Sequence, residues 1–209
     1  MIDKTAIRNA ATIIVLRDRD TAPKVLMGQR GAKAVFMPSM FVFPGGAVDP
    51  DDGDTPLAGA LPDLCAGRIR ENCDEDLTHA LAAAAIRELW EETGQILGTK
   101  GDWPGTPHAD WADFAATGHV PDPSSLQFVF RAITPPGRPR RFDARFFLTD
   151  TDALQSDPDD FSRASDELTL LQWIPLEKAR EFDLPFITEV VLAEGAQRAA
   201  DPTPPESVP

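Results

Sequence analysis

Cysteine and histidine are scarce in this chain, with Cys65 and Cys73 against His79, His108 and His119 in 209 residues. Two thiols in one polar segment make no disulfide framework, and no histidine pair has ligand spacing. A stapled secreted scaffold and a structural zinc site are therefore not expected, and the thiols read as ordinary ones in a reducing compartment. Positive charge is also short: 20 Lys and Arg face 34 Asp and Glu, a formal net charge of −14. That balance argues against a nucleic-acid partner or a membrane surface, so binding phosphate groups would need a local basic patch or metal ions. No apolar run approaches the length of a membrane span. The N-terminus has neither an h-region nor a cleavage pattern, and the closing "ESVP" is no known address signal, so a cytoplasmic location is the expectation.

What is present suits one globular domain: 42% of residues are hydrophobic and 26% charged. "AATIIVLRD" (10–18) and "KVLMGQR" (24–30) are β-prone runs joined by a polar loop, which predicts a hairpin. "MFVFPGG" (40–46) predicts a third strand stopped by Pro-Gly-Gly. Residues 49–76 are acidic and broken by Pro and Gly, and predict an insertion with at most one short helix, around "DLCAGRIR". A long helix is expected over 76–93, with Asp74 or Asp76 as its cap, high propensity from Ala82–Ala85, and Gly94 just past its end. Residues 98–124 predict a loop rich in proline and tryptophan. Strands are expected at 126–134, 141–149 and 168–175, then helices at 176–182 and 185–198. Residues 1–199 read as a single domain, with the insertion at about 53–75 and a disordered tail over 200–209. The order of elements suggests a mixed sheet with helices on its faces.

The chemistry concentrates in "AIRELWEETG" (85–94), where Glu88, Glu91 and Glu92 share one helix face. Like charges at this spacing disfavour the helix by ~0.2–0.5 kcal/mol per pair. The two in the last turn also oppose the helix dipole, at ~0.3–1 kcal/mol each when exposed. Arg87, four residues before Glu91, offsets part of this. A solvated helix face would explain a charge run, but such a face usually mixes lysine with glutamate. Here no lysine is interspersed, and the neighbouring helix positions Leu77, Leu81, Ala85 and Leu89 are apolar. A hard divalent cation resolves the conflict, because clustered carboxylate oxygens are the ligands that Mg²⁺ or Mn²⁺ prefers.

"FVFPGG" followed by "RELWEETG" resembles the signature of the Nudix hydrolases. That box runs Gly, five residues, Glu, seven residues, then Arg-Glu-aliphatic-x-Glu-Glu-x-Gly-aliphatic. Gly46 corresponds to the box glycine, and Arg87, Glu88, Leu89, Glu91, Glu92 and Gly94 fill the second half. Three positions depart from it. Asp52 stands where the leading glutamate belongs, which puts that residue's role in question. The arginine comes at 87 instead of 60, an excess of 27 residues, and Gln95 replaces the last aliphatic residue. "RGAKAVFMPSMFVFPGGAVDP" together with "PRRFDARFFL" resembles the branch that hydrolyses coenzyme A and acyl-CoA with a long insert inside the box.

The resemblance implies a Nudix-fold α/β/α sandwich with a mixed sheet and an insertion inside the box. It also implies Mg²⁺- or Mn²⁺-dependent hydrolysis of a diphosphate bond in a nucleoside diphosphate derivative, and it allows a homodimer. CoA or acyl-CoA would give 3′,5′-ADP and a phosphopantetheine. The rivals are an ADP-ribose or dinucleotide diphosphatase, and a non-catalytic domain that senses a nucleotide or binds a partner. By position, Glu88, Glu91 and Glu92 are the expected metal ligands, and Arg87 orients them. Members differ in drawing the catalytic base from the box or from a later loop, which makes Glu91 and Glu167 the candidates. Gly45 and Gly46 let the turn backbone approach the site closely. The basic patch is expected at Arg131, Arg138, Arg140, Arg141 and Arg145, with Arg30 as a further substrate contact, because guanidinium forks suit phosphate oxygens.

Overall fold

A computed structural model describes residues 6–32, 37–71, 73, 76–138, 140–203 and 207–209. The expected cap at Asp74 and part of the segment ahead of the Pro-Gly-Gly turn lie outside them. The first strand, β1 (Ile7–Arg17), is the centre of the main sheet. Its alternation sends Ala11, Ile13 and Val15 to one face and Ile14 and Leu16 to the other, with all five buried. A strand buried on both faces must lie inside a sheet covered on both sides. β2 (Lys24–Arg30) returns antiparallel to β1 through Leu16↔Val25 and Arg17↔Lys24, the hairpin expected from the sequence.

The predicted third strand is in fact two. β3 (Phe41–Val42) pairs with β2, whereas β4 (Gly45–Ala47) pairs with β1 through Ala11↔Gly46 and Thr12↔Gly45. Pro44, which has no N–H to give a ladder, falls at the break, and its carbonyl accepts the backbone N–H of Ile13 at 2.9 Å. The acidic segment begins with a 3-10 turn (Pro50–Gly53) and carries α1 (Asp63–Arg70). The long helix α2 (Thr78–Thr93) follows, and the Asp76 carboxylate accepts the N–H of Thr78 at 3.0 Å. Gly94 ends it in the left-handed conformation at φ 74°.

The span predicted as loop holds more structure than its composition suggested. β5 (Gly98–Lys100) and β6 (His119–Pro121) form a two-stranded ladder, and between them lie a 3-10 turn (Ala109–Trp111) and α3 (Ala112–Ala115). Its aromatics do the work: Trp111 and Phe114 are buried and stack edge-on at 5.3 Å, and Phe114 meets Trp90 of α2 at 5.6 Å. A tryptophan-rich stretch that buries its rings needs no long apolar periodicity to hold a shape.

β7 (Gln127–Ile133) and β8 (Arg141–Asp150) form an antiparallel pair, and β8 runs parallel to β1 from Ile7↔Arg141 to Leu16↔Asp150. β9 (Leu168–Pro175) pairs antiparallel with β2, and the parallel β1–β8 pair among antiparallel ones makes the sheet mixed. The helix expected at 176–182 is a 3-10 turn (Leu176–Glu181), and α4 (Phe186–Ala200) follows. Helices α1 and α2 cover one face of the sheet, with Leu81, Ile86 and Leu89 packed on Ala11, Ile13 and Phe147. α4 covers the other, with Val191 and Leu192 on Ile14, Met27 and Leu148. This is the expected sandwich. In the tail, Val208 packs against the first of these cores, and the Pro209 carbonyl accepts the Arg131 N–H on β7 at 2.9 Å. Among the described residues no helix is long and apolar enough to cross a membrane.

Candidate active site

Two of the three clustered glutamates are not on a solvated surface. Glu92 is 1% exposed and Glu88 8%, while Glu91 is partly open. The sheet lies on one side of α2, and the insertion and the aromatic loop wrap the rest. Burial pushes the Glu88 carboxyl up to about 7, against the pull of Arg87. It pushes Glu91 up as well, and drives Glu92 well above the ordinary range with the charge of Glu88 adding to it. A fold that buries two acids beside a third, partly open one holds them where a cation can compensate.

Arg87 organises the cluster. Its Nε and one terminal nitrogen form a fork on Asp52 at 3.0 and 3.1 Å, the second prong also donating to the Ala47 carbonyl at 3.0 Å. The other terminal nitrogen donates to Glu88 at 3.0 Å and to Glu91 at 3.2 Å. Although burial works against its charge, these partners keep the guanidinium firmly protonated. Asp52, itself 1% exposed, is thus a buried partner that fixes Arg87. Its position six after Gly46 is the signal that marks it in the sequence.

Both glycines are needed for close approach. A Cβ on Gly46 would collide with the Glu88 carboxylate, and one on Gly45 would meet the Ala11 carbonyl at 2.6 Å and the Thr12 Cα at 2.7 Å. The Gly45 N–H donates to Glu92 Oε2 at 2.8 Å, whereas Glu92 Oε1 is buried with no hydrogen-bond partner. Arg30 ends β2 near the same place: its charge pulls the Glu92 carboxyl down, and its Nε is buried and unpartnered. Glu167, one residue ahead of β9, is exposed, and its charge pushes both Glu88 and Glu92 upward. Asp110 does the same to Glu91, so the aromatic loop brings a further carboxylate to the cluster. No spacing pattern in the sequence pointed to it.

The basic patch divides. Arg145 is 1% exposed, and its guanidinium is engaged by Asn9 Oδ1 at 2.7 Å, the Asp143 carbonyl at 2.9 Å, the Asp143 carboxylate at 3.1 Å and Cys73 Sγ at 3.2 Å. Arg131 forms a fork on Asp143 at 2.9 and 2.7 Å, and Arg141 donates to the Thr134 carbonyl at 3.0 Å. Arg131 and Arg141 tie the β7–β8 hairpin together, and Arg145 ties it to the insertion at Cys73. Arg138 and Arg140 are exposed on the β7–β8 turn.

Among the described residues no three His, Cys, Asp or Glu side chains stand ready-gathered as a metal cage, and Arg87 holds two of the glutamates. The donor set nonetheless fits a hard divalent cation. Glu88 and Glu92 lie one turn apart, both are carboxylates desolvated by burial, and the buried Glu92 Oε1 lacks the partner that a cation would be.

The chain is 31% identical to the NUDIX hydrolase of Alicyclobacillus acidocaldarius, and the match covers 90% of each chain with a TM-score of 0.68. The chain belongs to the Nudix hydrolases. A Caenorhabditis elegans protein named as nudix hydrolase 7 is 30% identical over 179 residues, which is 80% of this chain and 51% of the relative. The chain thus spans about half the length of that curated relative. The MutT protein from Methanosarcina mazei Go1 shares the Nudix fold at a TM-score of 0.53 and 16% identity, over 96% of this chain and 99% of its own. No family model matches the chain.

Proposed function

We propose that this Nudix chain is a metal-dependent hydrolase of a diphosphate linkage in a nucleoside diphosphate derivative, with CoA or acyl-CoA as the substrate. The observation that carries the reading is the unpartnered, buried Glu92 Oε1 beside Glu88, at a turn where Gly45 and Gly46 leave no room for a side chain. Glu88, Glu91 and Glu92 would hold Mg²⁺ or Mn²⁺, which when bound offsets the substrate's charge, polarises the P–O bond and acidifies water. Arg87 keeps two of these carboxylates aimed at one place, and Asp52 keeps Arg87 there. Glu167 is the carboxylate we assign to the attacking water, with Glu91 the box alternative. Arg30 offers an unused N–H to a phosphate oxygen next to Glu92. Arg138 and Arg140 offer open guanidinium groups to a more distant phosphate, such as the 3′-phosphate of CoA. The CoA preference is supported by the long insertion within the box and by the two sequence blocks similar to that branch.

Incubation with CoA, ADP-ribose and NADH in Mn²⁺ tests both levels of the reading. Release of 3′,5′-ADP from CoA by the wild type, and its loss in Glu92→Gln, is the expected result. Turnover of ADP-ribose and NADH alone would defeat the CoA assignment. Undiminished turnover in Glu92→Gln would displace the metal site.

A further inference from the structure

Gln95 stands where the Nudix pattern has an aliphatic residue, directly after the glycine that ends α2. It is fully buried, and both hydrogens of its amide are used, donated to the carbonyls of Asp157 at 3.2 Å and Asp160 at 3.0 Å. Its Oε1 accepts the Ser156 hydroxyl at 2.8 Å, and Ser156 Oγ in turn accepts the Ile96 N–H at 3.0 Å. The side chain of one residue therefore fastens three positions of the 155–167 segment to the end of the catalytic helix. The backbone closes the same seam, with Gln155 N–H to the Ile96 carbonyl and Ser165 N–H to the Glu91 carbonyl, both at 2.8 Å. Arg163 lies over the Trp90 ring at 5.8 Å, and Gly94 passes so near that a Cβ there would stand 2.9 Å from the Arg163 Cβ. The segment leads straight into β9, and its last residue is Glu167.

A leucine at 95 would fill similar space but could replace none of these hydrogen bonds. Two carbonyls and one hydroxyl would lose their buried partner, and the segment would have to shift to reach water. We infer that Gln95 is a positioning residue for hydrolysis, fixing through the 155–167 segment the place of Glu167, two residues past the Ser165 that bonds to the end of α2. This rests on the assignment of Glu167 to the attacking water. The residue that looked like a lapse from the pattern is then what joins a late loop to the helix that carries the metal-binding acids.

The test is a double-mutant cycle on whichever of CoA, ADP-ribose and NADH the wild type turns over, comparing it with Gln95→Leu, Glu167→Gln and the pair. Gln95→Leu should lower kcat by ~10–100-fold, as loss of a supporting partner does elsewhere, with KM unchanged. The double variant should be no slower than the slower single one. If the two reductions multiply, or if KM rises while kcat holds, Gln95 acts by another route and the inference is overturned with Glu167 intact. If Glu167→Gln turns over at the wild-type rate, it is the Glu167 assignment that has failed, and the inference falls with it. Should Gln95→Leu not fold, Ser156→Ala removes the opposite half of the clasp from a half-buried position and is put through the same cycle.

Discussion

Asp52 and Arg87 are 35 residues apart in the chain and meet in a fork of 3.0 and 3.1 Å, both almost wholly buried. The segment between them carries α1, which packs Cys65 and Ile69 into the core. The contact makes Arg87 a fixed donor to Glu88 and Glu91, so the acids are placed by a residue that need not touch substrate.

Asp52→Ala should therefore damage both stability and turnover. Removing one partner of a buried ion pair leaves the other charge uncompensated, at a loss of about 3–5 kcal/mol. Turnover should fall by ~10–100-fold, the usual effect of losing a residue that orients metal-binding side chains. Denaturant unfolding and the rate on the accepted substrate measure the two effects. A less stable protein with full activity would show that Ala47 and the glutamates hold Arg87 without help.

Gly45→Ala and Gly46→Ala should separate fold from chemistry. The added methyl at 45 meets the backbone of β1, at the Ala11 carbonyl and the Thr12 Cα, and neither can give way. That variant should lose thermal stability. At 46 the obstacle is the Glu88 carboxylate, the far end of a side chain that can swing aside. This variant should fold, yet bind Mn²⁺ weakly and turn over poorly, as calorimetric titration would show. Normal Mn²⁺ binding by folded Gly46→Ala would remove Glu88 from the ligand set.

The parts legible in the sequence are those whose signal is local. Glu88, Glu91 and Glu92 show themselves by helical spacing, and β1, β2, β7 and β8 by short β-prone runs between turns. The contacts that complete the site are long-range, and a single chain gives them no periodicity. Asp52 reaching Arg87, Asp110 approaching Glu91 and Gln95 clasping the 155–167 segment all depend on how loops return to α2. Arg145 shows the opposite failure: five arginines within fifteen residues suggested one patch. Strand alternation and the pairing with Asp143 instead sent that one inward. Residues 98–124 look like loop in sequence because proline and glycine break the pattern, while the stacked rings of Trp103, Trp111 and Phe114 supply the packing.

Arg30 and Arg145 should respond differently to loss of charge. Arg30→Gln removes a guanidinium whose Nε is unpartnered and whose charge acts on Glu92. If it meets a phosphate oxygen, the lost charged hydrogen bond is worth ~1.5–3 kcal/mol, or about 10–100-fold in kcat/KM. Arg145→Gln breaks contacts with Asn9, Asp143 and Cys73. It should lower the unfolding midpoint and leave KM unchanged. A raised KM in Arg145→Gln, with stability intact, would return that residue to the substrate.

The buried acids also set how stability should vary with pH. Glu88 has its carboxyl raised to about 7 in the folded chain by burial, against ~4.3 for an exposed glutamate. Between those values the folded state holds a proton that the unfolded state has released. Stability is thus fullest below the lower value and declines as pH rises through the upper one. Glu92, raised further, extends the decline in the same direction. The Asp76 carboxyl, lowered to about 2 by its bonds to Thr78 and Arg70, acts in the opposite sense but only in acid, outside this window. In EDTA the melting temperature should therefore fall from pH 5 to pH 8, and Glu88→Gln should flatten part of that slope. Mn²⁺ binds the deprotonated carboxylates, so the stabilisation it gives should grow as pH rises, and the metal-bound curve should stay level where the metal-free one drops. A metal-free curve that is flat across the window would mean that Glu88 and Glu92 reach solvent, and that the folded chain presents no desolvated acids for a cation to join.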